Sequence, residues 1–316
     1  MGAEAEMSPR EVREELKGLL ATFASFCERN SLRYFLAYGS LLGAVREGDM
    51  IEWDDDVDVL MPRPDYNQFL RLYERQPADG TSLMKPGDEG YPSSFAKVIS
   101  TRTRFEATDH FFPENYGVYI DVFPIDGVPR VGSRIVYGSA ARLRRVRHRL
   151  FPYLKPHLVQ KPQTIRERAK KGVWHLFKAP RRLPAWLREQ SEEALLATSA
   201  LVLRGKSRAT LASWAEKVVS VKEFEDAQVV ADMVGWPTLT EATINRRHVD
   251  DFQWVQFGDL EVRGFAQPEL LLEQWYGPGW RIPDPDYKRP HGRAFWKARP
   301  DAATPNEERD LGTVEG

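Results

Sequence analysis

Residues 38–61 read YGSLLGAVREGDMIEWDDDVDVLM, and this stretch decides the fold. The aromatic-rich residues 33–38 before it form a strand candidate. Gly39-Ser40 breaks that strand, residues 41–46 read as a short helix, and Glu47-Gly48-Asp49 is a turn. Residues 57–61 form a second strand, stopped by Pro62 and Pro64. Strand side chains alternate faces. If residues 54–58 are extended, Asp54, Asp56 and Asp58 project to one side, Val57 and Val59 project to a core, and Asp55 points away. Two carboxylates roughly 5 Å apart repel by roughly 3 kcal/mol at an effective dielectric near ~20. A folded chain keeps such a pair where protons or a cation neutralise it, and hard oxygen ligands suit Mg²⁺ or Mn²⁺. A calcium loop of the EF-hand type is excluded, because it needs glycine at the sixth position from Asp54 and Val59 stands there.

Working outward, Ser8-Pro9-Arg10-Glu11 is a capping box with proline at the first helical position. Val12, Leu16, Leu19, Leu20, Phe23 and Phe26 follow at helical spacing, so the pattern predicts a helix over residues 9–28. Residues 65–74 read as a helix with Tyr66, Phe69, Leu70 and Tyr73 on its apolar face. Residues 95–99 and 103–106 read as a strand pair, and residues 118–123 as a further strand. That last strand carries Asp121 among apolar neighbours. A carboxylate there needs a partner: a shared metal, an arginine or a backbone amide. Further on, residues 254–257 and 260–262 suggest a hairpin around Gly258-Asp259, and residues 268–276 a helix closed by Gly277. The glycine of Gly39-Ser40 lets backbone approach a ligand, and the amides of the following helix start suit a phosphate.

The chain has 316 residues, 42% of them hydrophobic, enough for one large domain or two ordinary ones. Its net charge of −1 hides an asymmetry. Residues 142–188 hold fifteen Lys or Arg against one acid, Glu167, which gives that segment +14 and leaves −15 on the rest. Aromatics are interleaved there (Phe151, Tyr153, Trp174, Phe177, Trp186) and prolines interrupt it, so short helices and loops are expected. Such a mixture suits contact with an anionic membrane surface, with a solvated basic face as the alternative. No nucleic-acid-binding motif accompanies it, so nucleic acid is not expected as a partner. Residues 187–203 and 207–219 read as helices, and residues 301–316 as a disordered tail. The single cysteine, Cys27, allows no disulfide within the chain and no cysteine-based zinc site. The N-terminus lacks a signal-peptide pattern, and no apolar run is long enough to span a bilayer. A cytoplasmic location, peripheral at the inner face of the membrane, is the expectation.

At four places the chain resembles the LicD family, which includes fukutin-related proteins. These are YGSLLGAVREGDMIEWDDDVDVLMPRPDYNQF (residues 38–69), FAKVISTRTRFE (95–106), GVYIDVFPIDGVP (117–129) and LLEQWYGPGWRIPDPDYKRPH (271–291). The resemblance implies an α/β fold: a nucleotidyltransferase-like mixed sheet flanked by helices, with a helical basic insertion. On this reading residues 1–130 are the catalytic core, 131–249 the insertion and 250–300 the C-terminal part of the catalytic domain. It also implies that Gly39 and Ser40 form the substrate-binding turn. Asp56 and Asp58 are the carboxylate pair, Asp121 the third carboxylate, and Asp54 joins through water. Arg46, Lys97 and Arg104 are implied as contacts to donor phosphate, and His291 as a residue closing over the donor. Tyr38 and Trp53 flank the site and are read as packing residues. The implied reaction is Mg²⁺- or Mn²⁺-dependent. It moves a phosphorylated alcohol, such as phosphocholine or ribitol phosphate, from a CDP-linked donor to a glycan, and CMP is released. Transfer of a nucleotide with release of pyrophosphate, and a catalytically inactive binding protein of the same fold, are the alternatives.

Overall fold

A computed structural model describes residues 4–89, 91, 93–107, 116–128, 210, 224–233, 242–283 and 292–297. The basic segment 142–188, the helices expected over 187–203 and 207–219, His291 and the tail 301–316 lie outside the described residues, apart from Thr210.

Helix α1 (Pro9–Arg29) opens with the expected capping box, in which Ser8 and Glu11 satisfy each other's backbone amides. Helix α2 is Tyr38–Glu47, α3 is Arg63–Arg75, α4 is Arg247–Asp250 and α5 is Pro268–Tyr276. The strands are β1 (Ala5–Glu6), β2 (Phe35–Leu36), β3 (Val57–Pro62), β4 (Thr81–Met84), β5 (Ala96–Ser100) and β6 (Thr103–Ala107). They continue with β7 (Tyr119–Gly127), β8 (Val229–Asp232), β9 (Thr243–Asn245), β10 (Phe252–Phe257), β11 (Leu260–Phe265) and β12 (Gly292–Trp296).

The main sheet is mixed and runs β2-β3-β7-β5-β4, with β8 and then β9 attached to β7. Strand β7 is its axis, and all nine of its residues are buried. It pairs in parallel with β3 along one edge. The other edge is shared: β5 takes Tyr119–Val122 and β8 takes Ile125–Gly127, both antiparallel. The sheet therefore recruits Val229–Asp232 and Thr243–Asn245 from within the stretch read from sequence as insertion. Helices α1 and α3 pack on one side through an aromatic seam, where Phe23 and Phe26 meet Phe69 at 5.3 and 5.9 Å. Helices α2 and α5 pack together on the other side, and the β10-β11 hairpin lies against β2, with Phe35 and Phe265 stacked at 4.7 Å. No helix among the described residues is long and apolar enough to cross a membrane.

Three local expectations change. Strand β2 is only two residues, and α2 starts at Tyr38 rather than at residue 41. The turn of the chain falls on Ala37, whose carbonyl already accepts the Leu41 amide, so Gly39 and Ser40 form the first helical turn. Strands β5 and β6 do not pair with each other, because β4 and β7 occupy both edges of β5. Strand β6 turns away into a three-stranded sheet, β1-β12-β6. The hairpin around Gly258 forms as expected; Gly258 lies at φ +63°, where glycine is favoured.

Alternation along β7 puts Asp121 and Asp126 on opposite faces. On the α3 face, Arg63 donates Nε and Nη2 to the two oxygens of Asp126 at 2.6 and 2.7 Å. Both groups are buried, with the Asp126 side chain 1% exposed. Arg63→Leu should therefore destabilise the chain by about 3–5 kcal/mol, since it leaves a buried carboxylate without its cation. Urea denaturation should show part of that loss restored in the double variant Arg63→Leu/Asp126→Leu.

Candidate active site

Strands β3, β7 and β5 lie side by side, and their register lines up three charged residues. Asp58 stands opposite Asp121, and Asp121 stands opposite Lys97. Directly paired residues share a face of a sheet, so this row projects on the side of α2 and α5. Carboxylate oxygens of Asp56, Asp58 and Asp121 lie within 4.8 Å of one another. At that spacing each charged pair repels by roughly 3 kcal/mol at an effective dielectric near ~20. Burial pushes the Asp58 carboxyl well above the usual carboxylate range. The charges of Asp56, Asp121 and Asp54 add to this, and Lys97 opposes it.

Lys97 is buried, 1% exposed, and its ammonium donates to Asp121. The same ammonium sits 3.5 Å from the centre of the Tyr119 ring. Asp58 is fixed through its backbone. Its amide donates to Ser40 Oγ at 2.9 Å, and its carbonyl accepts from the Ala37 amide at 3.0 Å. Gly39 faces the acidic run, since a Cβ there would stand 2.9 Å from Asp54 Oδ2. A residue without a side chain is what lets Asp54 approach the helix start so closely.

The structure thus brings together Gly39, Ser40, Asp54, Asp56, Asp58, Lys97 and Asp121. It corrects the placement of Asp55. Oxygens of Asp54, Asp55 and Asp56 also lie within 4.8 Å of one another, so Asp55 does not point away from its neighbours. The strand begins only at Val57, and alternation does not extend into the preceding loop. Asp55 also accepts the amide of Gly292 at 3.2 Å, which ties β12 to the acidic run. The ammonium of Lys97, read from the resemblance as a contact to donor phosphate, bonds to Asp121 of the cluster. Arg104 lies on β6 in the smaller sheet, where its guanidinium meets Glu4, Glu106 and the ring of Phe295. Arg46, at the end of α2, bonds to Glu47 at 2.6 Å. Arg63 pairs with Asp126 on the other face of β7.

Asp232 escaped the sequence reading. It ends the apolar run of β8, is 1% exposed, and accepts the Tyr38 hydroxyl. The signal that singled out Asp121, an acid within apolar residues, is present there too.

Asp56, Asp58 and Asp121 offer three hard oxygen ligands in one cluster, a donor set that fits Mg²⁺ or Mn²⁺. The protein so defined is of the α/β class, with an acidic, cation-competent centre on a mixed sheet. Comparison with known proteins shows what the chain is similar to. Residues 31–152 match the family model described as LicD/FKTN/FKRP, nucleotidyltransferase domain. The chain is 24% identical over 291 residues to the lipopolysaccharide cholinephosphotransferase LicD of Haemophilus influenzae, a match covering 90% of this chain and 96% of that protein. It is also similar to two Saccharomyces cerevisiae proteins, mannosyltransferase regulators 14 and 4. These are 26% and 25% identical over 36% of this chain, and the matches cover 12% and 10% of their own lengths. Residues 31–152 thus match the LicD domain model, and nine-tenths of the chain aligns with a LicD protein, a transferase.

The raised Asp58 carboxyl gives a pH prediction. Between the ordinary aspartate value and the raised one, the folded chain binds more protons than the unfolded chain. Stability of the metal-free protein therefore falls as pH rises through that window. Protons compete with a cation for the same oxygens. Mg²⁺ bound at these oxygens should stabilise the fold by up to about 2.7 kcal/mol at a hundredfold excess over Kd, and should raise the thermal midpoint more at pH 8 than at pH 5. Calorimetry at the two pH values checks this, and Asp58→Asn should abolish the difference.

Proposed function

We propose that this LicD-like transferase moves a phosphorylated alcohol from a CDP-linked donor to a glycan, with release of CMP. The observation that carries the reading is the cluster of Asp56, Asp58 and Asp121 beside the Gly39-Ser40 helix start. The match along most of the chain to a cholinephosphotransferase supports the choice of group transferred.

In this reading Asp56, Asp58 and Asp121, with Asp54 in support, would hold Mg²⁺ or Mn²⁺. When bound, the ion supplies positive charge to the donor diphosphate and to the departing phosphate. The chain's own residues do the rest. Lys97 holds Asp121 in place through its hydrogen bond, and Ser40 holds Asp58 through the Asp58 amide. The amides at the start of α2 lie where a phosphate oxygen is favoured. A glycan hydroxyl attacks the phosphorus that carries the alcohol. The new O–P bond forms as the bond to CMP breaks, and the hydroxyl proton passes to a carboxylate of the cluster, taken here as Asp121. Arg46, Arg104 and His291 remain proposed donor contacts. None of them is needed for the steps above.

The family description names a nucleotidyltransferase domain, which favours a second reading: transfer of the nucleotide itself, with release of pyrophosphate. Product analysis separates the two. With Mg²⁺, CDP-alcohols and candidate glycans, CMP should accumulate and pyrophosphate should not. Asp56→Ala and Asp58→Ala should each lower turnover by about a hundredfold or more, as for loss of groups that stabilise the transition state. Full activity in either variant would remove that residue from the mechanism.

The +14 segment at residues 142–188 supports a peripheral membrane contact, where a lipid-linked glycan acceptor would be met. The chain should float with anionic liposomes at low salt. Lys/Arg→Glu changes in the segment should abolish flotation.

A further inference from the structure

Tyr38 is the first residue of α2 and lies at φ +49°, a left-handed conformation disfavoured for any residue with a side chain. Such a conformation persists only where the surroundings over-determine it. Here they do so through the side chain. The ring is buried, with Phe123 of β7 at 5.8 Å edge-on and Trp275 of α5 at 4.9 Å. The hydroxyl donates to Asp232 of β8. Asp232 stands opposite Ile125 in the sheet, and Ile125 shares its face of β7 with Asp121. The Asp232 carboxylate thus comes from the far half of the site face and reaches back to the helix start.

The two residues after Tyr38 are the ones that touch the acidic cluster. Gly39 lies against the Asp54 carboxylate, and Ser40 accepts the Asp58 amide. A buried carboxylate is costly to a fold that apolar residues would stabilise as well, whereas a hydroxyl-to-carboxylate bond fixes a direction. We propose that Tyr38 and Asp232 form a clamp that positions the Gly39-Ser40 turn, and through it Asp54 and Asp58, for phosphoryl transfer. Both are positioning residues rather than catalytic ones, and their effect on turnover rests on the reaction proposed above.

The test compares Tyr38→Phe, Asp232→Ala and Asp232→Asn in the full chain, using turnover and amide hydrogen exchange. Tyr38→Phe and Asp232→Ala should each lower kcat by about tenfold to a hundredfold, the usual range for partners that orient a site from behind. They should also speed exchange in residues 38–58 while leaving β4 and β5 unchanged. Asp232→Asn keeps an acceptor for the hydroxyl and should lose less on both measures. The double variant Tyr38→Phe/Asp232→Ala should lose no more than the worse single change, because one contact is removed twice. Tyr38→Phe removes a single oxygen and keeps the test available if Asp232→Ala does not fold. Unchanged exchange in residues 38–58, or exchange speeded throughout the sheet, overturns the clamp. A wild-type chain that transfers nothing from any CDP-alcohol overturns the proposed reaction instead, and the clamp is then decided by exchange alone.

Discussion

Like charges gathered on one face of a sheet are the constraint on which the rest depends. Asp58 and Asp121 stand opposite each other on β3 and β7, with Asp56 beside them. Each charged pair repels by roughly 3 kcal/mol at that separation. Lys97, placed next in the row by the β5–β7 register, returns one positive charge to the cluster. What is left over is a demand for protons or for a divalent ion, and the partial burial of Asp58 sharpens it. A site with this imbalance suits a reaction in which diphosphate charge must be met by a cation.

The surroundings hold the cluster against its own repulsion. Strand β7 is buried along its length, and each face of it carries one acid. On one face Asp126 is neutralised by Arg63, which joins α3 to the sheet. On the other, Asp121 meets Lys97 and the carboxylates of the site. The same strand thus carries a buried ion pair on one face and a member of the acidic cluster on the other, separated by a change of strand parity.

Much of the frame was legible in local patterns. The capping box and apolar spacing of α1, the α5 helix, the hairpin at Gly258 and the strand after the acidic run are all local signals, and the structure carries them. The Gly-Ser pair is legible in the sequence but the start of α2 is not, since nothing local shows that Tyr38 adopts a left-handed conformation. The side on which Asp55 lies is not legible, because alternation holds only from Val57, where the strand begins. Partners were the least legible. The pairing of β6 with β12, and of Asp232 with Tyr38, joins residues far apart in the chain.

The sequence by itself determined the acidic centre. Residue type marks the acidic run and the lone acid of the later strand, which are properties of short segments, and the family resemblance narrows them to Asp56, Asp58 and Asp121. Only the tertiary structure decided how those charges are balanced. Whether an acid meets Lys97, Arg63 or a tyrosine hydroxyl depends on sheet register and on which edge of β7 each strand takes. Register arises from packing across the whole sheet and has no local signature.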